Sequence, residues 1–292
     1  MKYHQFNITK HYSSIYYFLK DEKFSENYIS NLRKEWGNIS VNNQIVNIRK
    51  SLSPGDILKI NSNPNKKTTI MQCILPLDIV YEDEYYLLIN KPSGLSCMPN
   101  KRHYTKNLAG AICNYMQQKD ENFVLRIINR LDKDTAGIII VAKDSIAQNK
   151  IKDINKTYHA VCQGEINTPI TINKPIKTIC KNGINNQKRT TADDGQEATT
   201  FVIPIKSNNN FSLISLNLLH GRTHQIRVHL SSINHSLIGD ELYGEKSNLI
   251  NHTALICDKL SFFHPFKNQT IEFKLKFPED FLKLLKTTDL LN

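Results

Sequence analysis

The sequence predicts two units that each mix helices with strands, joined by a polar linker. Three observations predict this. The first 60 residues run helix, hairpin, turn, strand. The stretch Asn61–Thr68 (NSNPNKKT) is nearly devoid of apolar side chains. From about residue 74 onward, alternating or unbroken apolar runs interleave with helical spacings. A chain of 292 residues is long enough for two cores. The expected boundaries are 1–60 for the first unit, 61–73 for the linker and 74–292 for the second unit, with no internal repeat.

In the first unit, Tyr28, Ile29, Leu32 and Trp36 recur at helical spacing behind Ser25, a good N-cap. Arg33 and Lys34 fall off that stripe. An aromatic-rich segment, Ser14–Leu19, precedes them. Ile39–Val46 alternates around Asn42-Asn43 and reads as a hairpin, because asparagine tolerates the backbone that a two-residue turn needs. Pro54-Gly55-Asp56 then turns the chain into the strand Ile57–Ile60.

In the second unit, Leu87-Leu88-Ile89-Asn90-Lys91 is a strand stopped by Pro92 and Gly94. Ile138-Ile139-Ile140-Val141 is four β-branched residues in a row, the mark of a buried strand. Gly137 ahead of it allows a tight backbone approach. In Lys156–Gly164, the period of 2 puts Tyr158, Ala160 and Cys162 on one face. Ile214, Leu216 and Leu218 alternate as a strand running into Gly221. Thr223 is then expected to cap a helix bearing Ile226, Leu230 and Ile233 on one face.

With 38 Lys+Arg against 27 Asp+Glu, the formal charge of +11 favours an anionic partner. No apolar run approaches the ~18 residues of a membrane span, and MKYHQFNITK lacks the apolar region of a signal peptide. A cytoplasmic protein without membrane contact is expected. The six cysteines are scattered without a C-x-x-C pair and read as core residues or loop thiols.

The segment that promises chemistry is Asn129-Arg130-Leu131-Asp132-Lys133-Asp134-Thr135-Ala136-Gly137. It sets a carboxylate beside an arginine at the mouth of a buried strand, a common way to hold a reactive group. Calcium does not fit, because an EF-hand would need an acidic or amide residue at 136 and Glu at 143, where Ala136 and Lys143 stand. A phosphoaspartyl site would need Thr at 136 and a strand before the Asp rather than after it. His220, His224 and His229 are interrupted by Gly221 and lack a Cys or carboxylate at ligand spacing, so no metal is expected. His224 reads as a hydrogen-bonded structural residue.

This segment resembles the signature of the RluA family of RNA pseudouridine synthases, usually His-Arg-Leu-Asp-x-x-Thr-Ser-Gly. Asn129 stands where that family has His, and Ala136 where it has Ser. Other segments are similar to the same family in order and spacing: Leu87–Leu95 to its Asn-Lys-Pro-x-Gly strand end, Lys156–Ala160 to Lys-x-Tyr-x-Ala, Gly221–Arg227 to Gly-Arg-Thr-His-Gln-Ile-Arg in full, and Ile238–Gly244 with Phe263–Pro265 to its structural turns. The helix, hairpin and Pro-Gly-Asp turn of residues 1–60 resemble an S4 RNA-binding domain.

The resemblance implies an α+β fold with a mixed, largely antiparallel central sheet flanked by helices. It implies isomerisation of uridine in RNA to pseudouridine by the catalytic trio Asp132, Tyr158 and Arg227, with Arg227 paired to Asp132 and Tyr158 stacked on the target base. A nearby guanidinium would keep a partly buried carboxylate ionised and oriented. Arg130, Arg222, His224, Gln225, Lys91, Arg33 and Lys34 become the candidate RNA contacts. The chemistry implies no cofactor and no metal. The expected partner is RNA, with ribosomal RNA of the large subunit favoured and transfer RNA the alternative, and a monomer is the simplest state. The rival class is a non-catalytic S4-type RNA-binding protein. The carboxylate and its partners discriminate, because a pure binder has no chemical need for that trio.

Overall fold

The computed structural model describes residues 3–34, 37–61, 68–100, 104–119, 123–181 and 184–291. Trp36 and residues 62–67 of the expected linker lie outside the described residues.

The first unit is a four-stranded antiparallel sheet backed by two helices. Its elements are β1 (Tyr3–Asn7), α1 (Ile15–Asp21), α2 (Glu26–Lys34), β2 (Ile39–Val41), β3 (Gln44–Ile45) and β4 (Ile57–Asn61), with sheet order β1-β4-β2-β3. Ser25 caps α2 as expected, its Oγ accepting from Tyr28 N at 3.2 Å. Asn42 and Asn43 both adopt positive φ, 52° and 66°, which is what the two-residue turn demands. Strand β1 was not anticipated: Tyr-His-Gln-Phe-Asn alternates too weakly to read as a strand, and its pairing with the distant β4 supplies the order. Ile15, Leu19, Ile29, Leu52, Leu58 and Ile60 form the core of this unit.

The second unit is built on nine strands: β5 (Asp78–Glu82), β6 (Tyr86–Lys91), β7 (Ala136–Ala142), β8 (Lys152–Gln163), β9 (Ile170–Asn173), β12 (Thr199–Ser207), β13 (Phe211–Leu218), β14 (Leu255–His264) and β15 (Gln269–Lys274). Their order is β5-β6-β7-β14-β8-β13-β12-β9, with β15 on β14. Only the β7–β14 contact is parallel among the described pairs, so the sheet is mixed and largely antiparallel, as expected. A separate hairpin, β10 (Ile176–Lys181) with β11 (Ile184–Thr191), stands off the sheet. Helices α3 (Leu108–Gln117), α4 (Ser145–Lys150), α5 (Gln225–Ser231) and α6 (Glu279–Thr287) complete the unit.

Every residue of β7 is buried, because strands cover both edges and side chains pack on both faces. Tyr158, Ala160 and Cys162 share the inward face of β8, in the core with Ile226 and Leu230 of α5. Helix α5 begins one residue later than expected. Its N-cap is His224 in the left-handed region (φ 57°), and Thr223 is exposed. The two units touch through polar groups. His4 Nε2 lies 3.0 Å from Asp144 Oδ2, Ser25 Oγ donates to Asn149 Oδ1 at 2.7 Å, and Lys150 pairs with Glu22. Ile146 of α4 joins the first unit's core. No helix among the described residues is long and apolar enough to cross a membrane.

Candidate active site

A cleft of about 720 Å³ opens where three segments meet: the loop before β7, the inward face of β8 and the turn into α5. Its described lining carries Arg130, Lys133, Lys156, Arg189, Arg222 and Arg227 against a single carboxylate, Asp132. A concave surface with that balance suits a polyanion that meets one reactive acid.

The loop bearing Asp132 is fastened by its carbonyls. Lys91 Nζ donates to Lys133 O at 3.0 Å, Ser93 Oγ to Asp134 O at 2.8 Å and Cys97 Sγ to Leu131 O at 3.1 Å. Thr135 N closes the turn onto Asp132 O at 3.2 Å. Asn129 completes the clamp, donating through Nδ2 to Ile138 O at 2.9 Å and accepting at Oδ1 from Ile140 N at 2.7 Å. Its amide thus imitates a peptide unit paired with β7, which requires one donor and one acceptor on the same side chain. Gly137 follows at φ 126°, so close to β14 that a Cβ there would sit 2.2 Å from Cys257 O.

Asp132 is partly open to solvent, 27 % for its side chain. Arg227 Nη1 stands 3.7 Å and His224 Nε2 3.9 Å from its Oδ2. The expected pairing of Arg227 with Asp132 is therefore only one side of that guanidinium. Its fork is taken by the fully buried Asp240, with Nε to Oδ2 and Nη2 to Oδ1 both 2.7 Å. Burial opposes the charge on Arg227, but the Asp240 bonds outweigh it and hold the guanidinium above its ordinary value. Tyr158 is buried against Asp132 and Cys257. Burial first, then those neighbours, push its phenol well above the ordinary value, so it stands as neutral phenol. Burial also lowers His224, against the pull of Asp132, and leaves a neutral imidazole.

The remaining expected contacts divide. Arg130 is exposed at the cleft, and Arg222 lines it while Nε donates to Glu197 O at 3.0 Å. Arg33 and Lys34 are exposed on α2, away from the cleft, beside a groove that also holds Arg49. Two residues are corrected. Lys91 is fully buried and gives its three N–H groups to Pro92 O, Leu95 O and Lys133 O, so it cannot reach a phosphate; burial lowers its pKa to about 8. Gln225 is buried, with Nε2 donating to Thr199 O and Thr200 Oγ1 and Oε1 accepting from Arg222 N, so it shapes the turn instead of touching RNA. His229 is likewise spent on Thr200 and Lys174.

Sequence reasoning gave no site role to Lys156 or Arg189, and read Asp240 and Tyr243 only as parts of a structural turn. Lys156 was legible, since the period of 2 that exposes Tyr158 to the cleft exposes it too. The other three come from turns and a hairpin whose placement no local pattern announces.

The family model described as RNA pseudouridylate synthase matches residues 85–232. The uncharacterized RNA pseudouridine synthase YjbO of Bacillus subtilis (strain 168) is 33 % identical over 270 residues, 90 % of this chain and 94 % of that protein. The ribosomal large subunit pseudouridine synthase D of Zymomonas mobilis is 34 % identical over 233 residues, 73 % of each chain. Among solved structures, human RNA pseudouridylate synthase domain containing 4 superposes with a TM-score of 0.57 at 20 % identity, covering 72 % of this chain and 92 % of that one.

Proposed function

Because this chain belongs to the RNA pseudouridylate synthase family and is thereby an RNA-modifying isomerase, we propose that its cleft converts particular uridines of large-subunit ribosomal RNA to pseudouridine, with Asp132 as the catalytic carboxylate. The observation that supports this reading is the lone carboxylate among six cations in the cleft.

Most glycosidases need a second carboxylate to protonate a leaving oxygen. Uracil leaves through a nitrogen whose charge spreads into two carbonyls, so one carboxylate suffices. Asp132 either attacks C1′ or removes the 2′ proton as the C1′–N1 bond breaks; the base turns, C5 bonds to C1′ as Asp132 leaves C1′ or the 2′ proton returns, and C5 then loses its proton while N1 gains one. The other lining cations, Arg130, Lys133, Lys156, Arg189 and Arg222, cradle the backbone phosphates. The target base leaves its stack to reach Asp132, and exposed Arg130 is placed to occupy the gap. Tyr158, neutral and walled in, offers a ring face and an O–H to the base. Arg227 steadies the carboxylate from one side.

The first unit acts as an S4-type RNA-binding module, presenting Arg33, Lys34 and Arg49 around one groove. Ribosomal RNA is favoured because a similar relative bears that activity in its name. The active species is taken to be a monomer working in the cytoplasm, where ribosomal RNA is met.

The test is pseudouridine mapping of ribosomal and transfer RNA from cells with and without the gene. Loss of one or a few sites in large-subunit RNA is expected. Loss confined to transfer RNA would assign the alternative substrate, and an unchanged map would contradict the proposal.

A further inference from the structure

The turn that ends in Tyr243-Gly244 reads as structural in sequence, yet it meets both groups that face Asp132. Asp240 accepts from Leu242 N at 3.1 Å and Tyr243 N at 3.2 Å, so the carboxylate that grips Arg227 also folds this turn. The Tyr243 ring then lies under the Arg227 guanidinium, 5.2 Å from its centre. Its hydroxyl lies 2.9 Å from His224 Nδ1 and accepts from Arg189 N, in β11, at 2.7 Å.

This bonding fixes a proton. The phenol oxygen already accepts from a backbone N–H, and its own hydrogen has no other bonded acceptor among the described residues. Donating that hydrogen to His224 Nδ1 satisfies both groups. The tautomer of a histidine is set by the bond its other nitrogen makes, so the ring proton sits on Nε2. That nitrogen is the one 3.9 Å from Asp132 Oδ2, on the same oxygen that Arg227 Nη1 approaches. A left-handed backbone at His224, φ 57°, is unusual for a non-glycine residue and is held there by the surrounding bonds.

We propose that Tyr243 is a positioning residue that locks His224 as the Nε2–H tautomer, so that the imidazole presents a donor to the reacting carboxylate side of the cleft. The link runs on to Arg189 N, which makes the seating of the β10–β11 hairpin part of the same assembly. This proposal rests on Asp132 being the reacting group, but its first readout does not.

The test is ¹⁵N NMR of histidine-labelled protein, with His224 assigned by its disappearance in His224→Gln. The wild type should show a bare Nδ1 and a protonated Nε2. Tyr243→Phe keeps the ring beneath Arg227 and removes only the hydroxyl. It should lose the single-tautomer signature and reduce kcat about tenfold, the order of one lost hydrogen bond at the site, with KM for RNA within about twofold. A protonated Nδ1 in the wild type would overturn the proposal, as would a Tyr243→Phe protein with unchanged kcat. If Asp132→Asn proved active, the catalytic assignment would fail, while the NMR result would still decide the tautomer.

Discussion

Asn129 shows how a departure from a familiar motif is absorbed. A side-chain amide supplies one donor and one acceptor to β7, and that pairing holds the loop whose next turn carries Asp132. Asn129→Asp keeps the shape but sets a carboxylate oxygen against the Ile138 carbonyl. It should cost about 2–3 kcal/mol, the loss of a buried bond with an orphaned acceptor, measurable by urea unfolding. Asn129→His should leave tritium release from 5-tritiated uridine in RNA within a few-fold of wild type; an inactive wild type rescued by His would contradict the clamp. Lys91 makes the complementary point. Its pattern in sequence, Asn-Lys-Pro-x-Gly, marks scaffold, but only the fold shows that the ammonium turns inward to three carbonyls. Since its folded pKa of about 8 lies below the ordinary 10.5, the unfolded chain holds the extra proton between those values. This group therefore adds stability as pH rises from about 8 to 10.5, and costs it fully below 8. Lys91→Met should abolish that rising limb in stability–pH curves and lower stability at pH 7 by orphaning the Lys133 carbonyl.

The elements around the site were legible in unequal measure. Four β-branched residues announced β7, the period of 2 announced the Tyr158 face of β8, and paired asparagines announced the β2–β3 turn. What local pattern could not carry was partnership across sequence: Asp240 as the fork partner of Arg227, Tyr243 beside His224, and the parallel meeting of β7 with β14. That meeting is where Gly137 matters. A methyl there would collide with the Cys257 carbonyl, and φ 126° strains any L side chain. Gly137→Ala should destabilise the protein by about 3 kcal/mol or more, the range of backbone strain joined to a core clash. A melting temperature equal to wild type would show that the two strands are free to part. The start of α5 teaches the same lesson at smaller size: Thr223 is the better cap by residue type, but the bonds from the Asp240–Tyr243 turn and from Gln225 place His224 at the cap instead.

At the scale of the whole molecule, the formal charge of +11 includes a cleft with six lining cations and a second groove on the first unit with three. If both grip one RNA, removing Arg33, Lys34 and Arg49 together should weaken binding and flatten the log–log salt dependence by about 2, near 0.7 per phosphate contact on a single strand. The chemical step on RNA already bound should be unchanged. An unaltered salt slope would remove the first unit from the interface. The chemistry centres on the one carboxylate in that cleft, and the most direct measurement is single-turnover pseudouridine formation by Asp132→Asn beside its affinity for the same RNA. No detectable product is expected, with affinity within a few-fold of wild type; product formed near the wild-type rate would contradict Asp132 as the catalytic carboxylate.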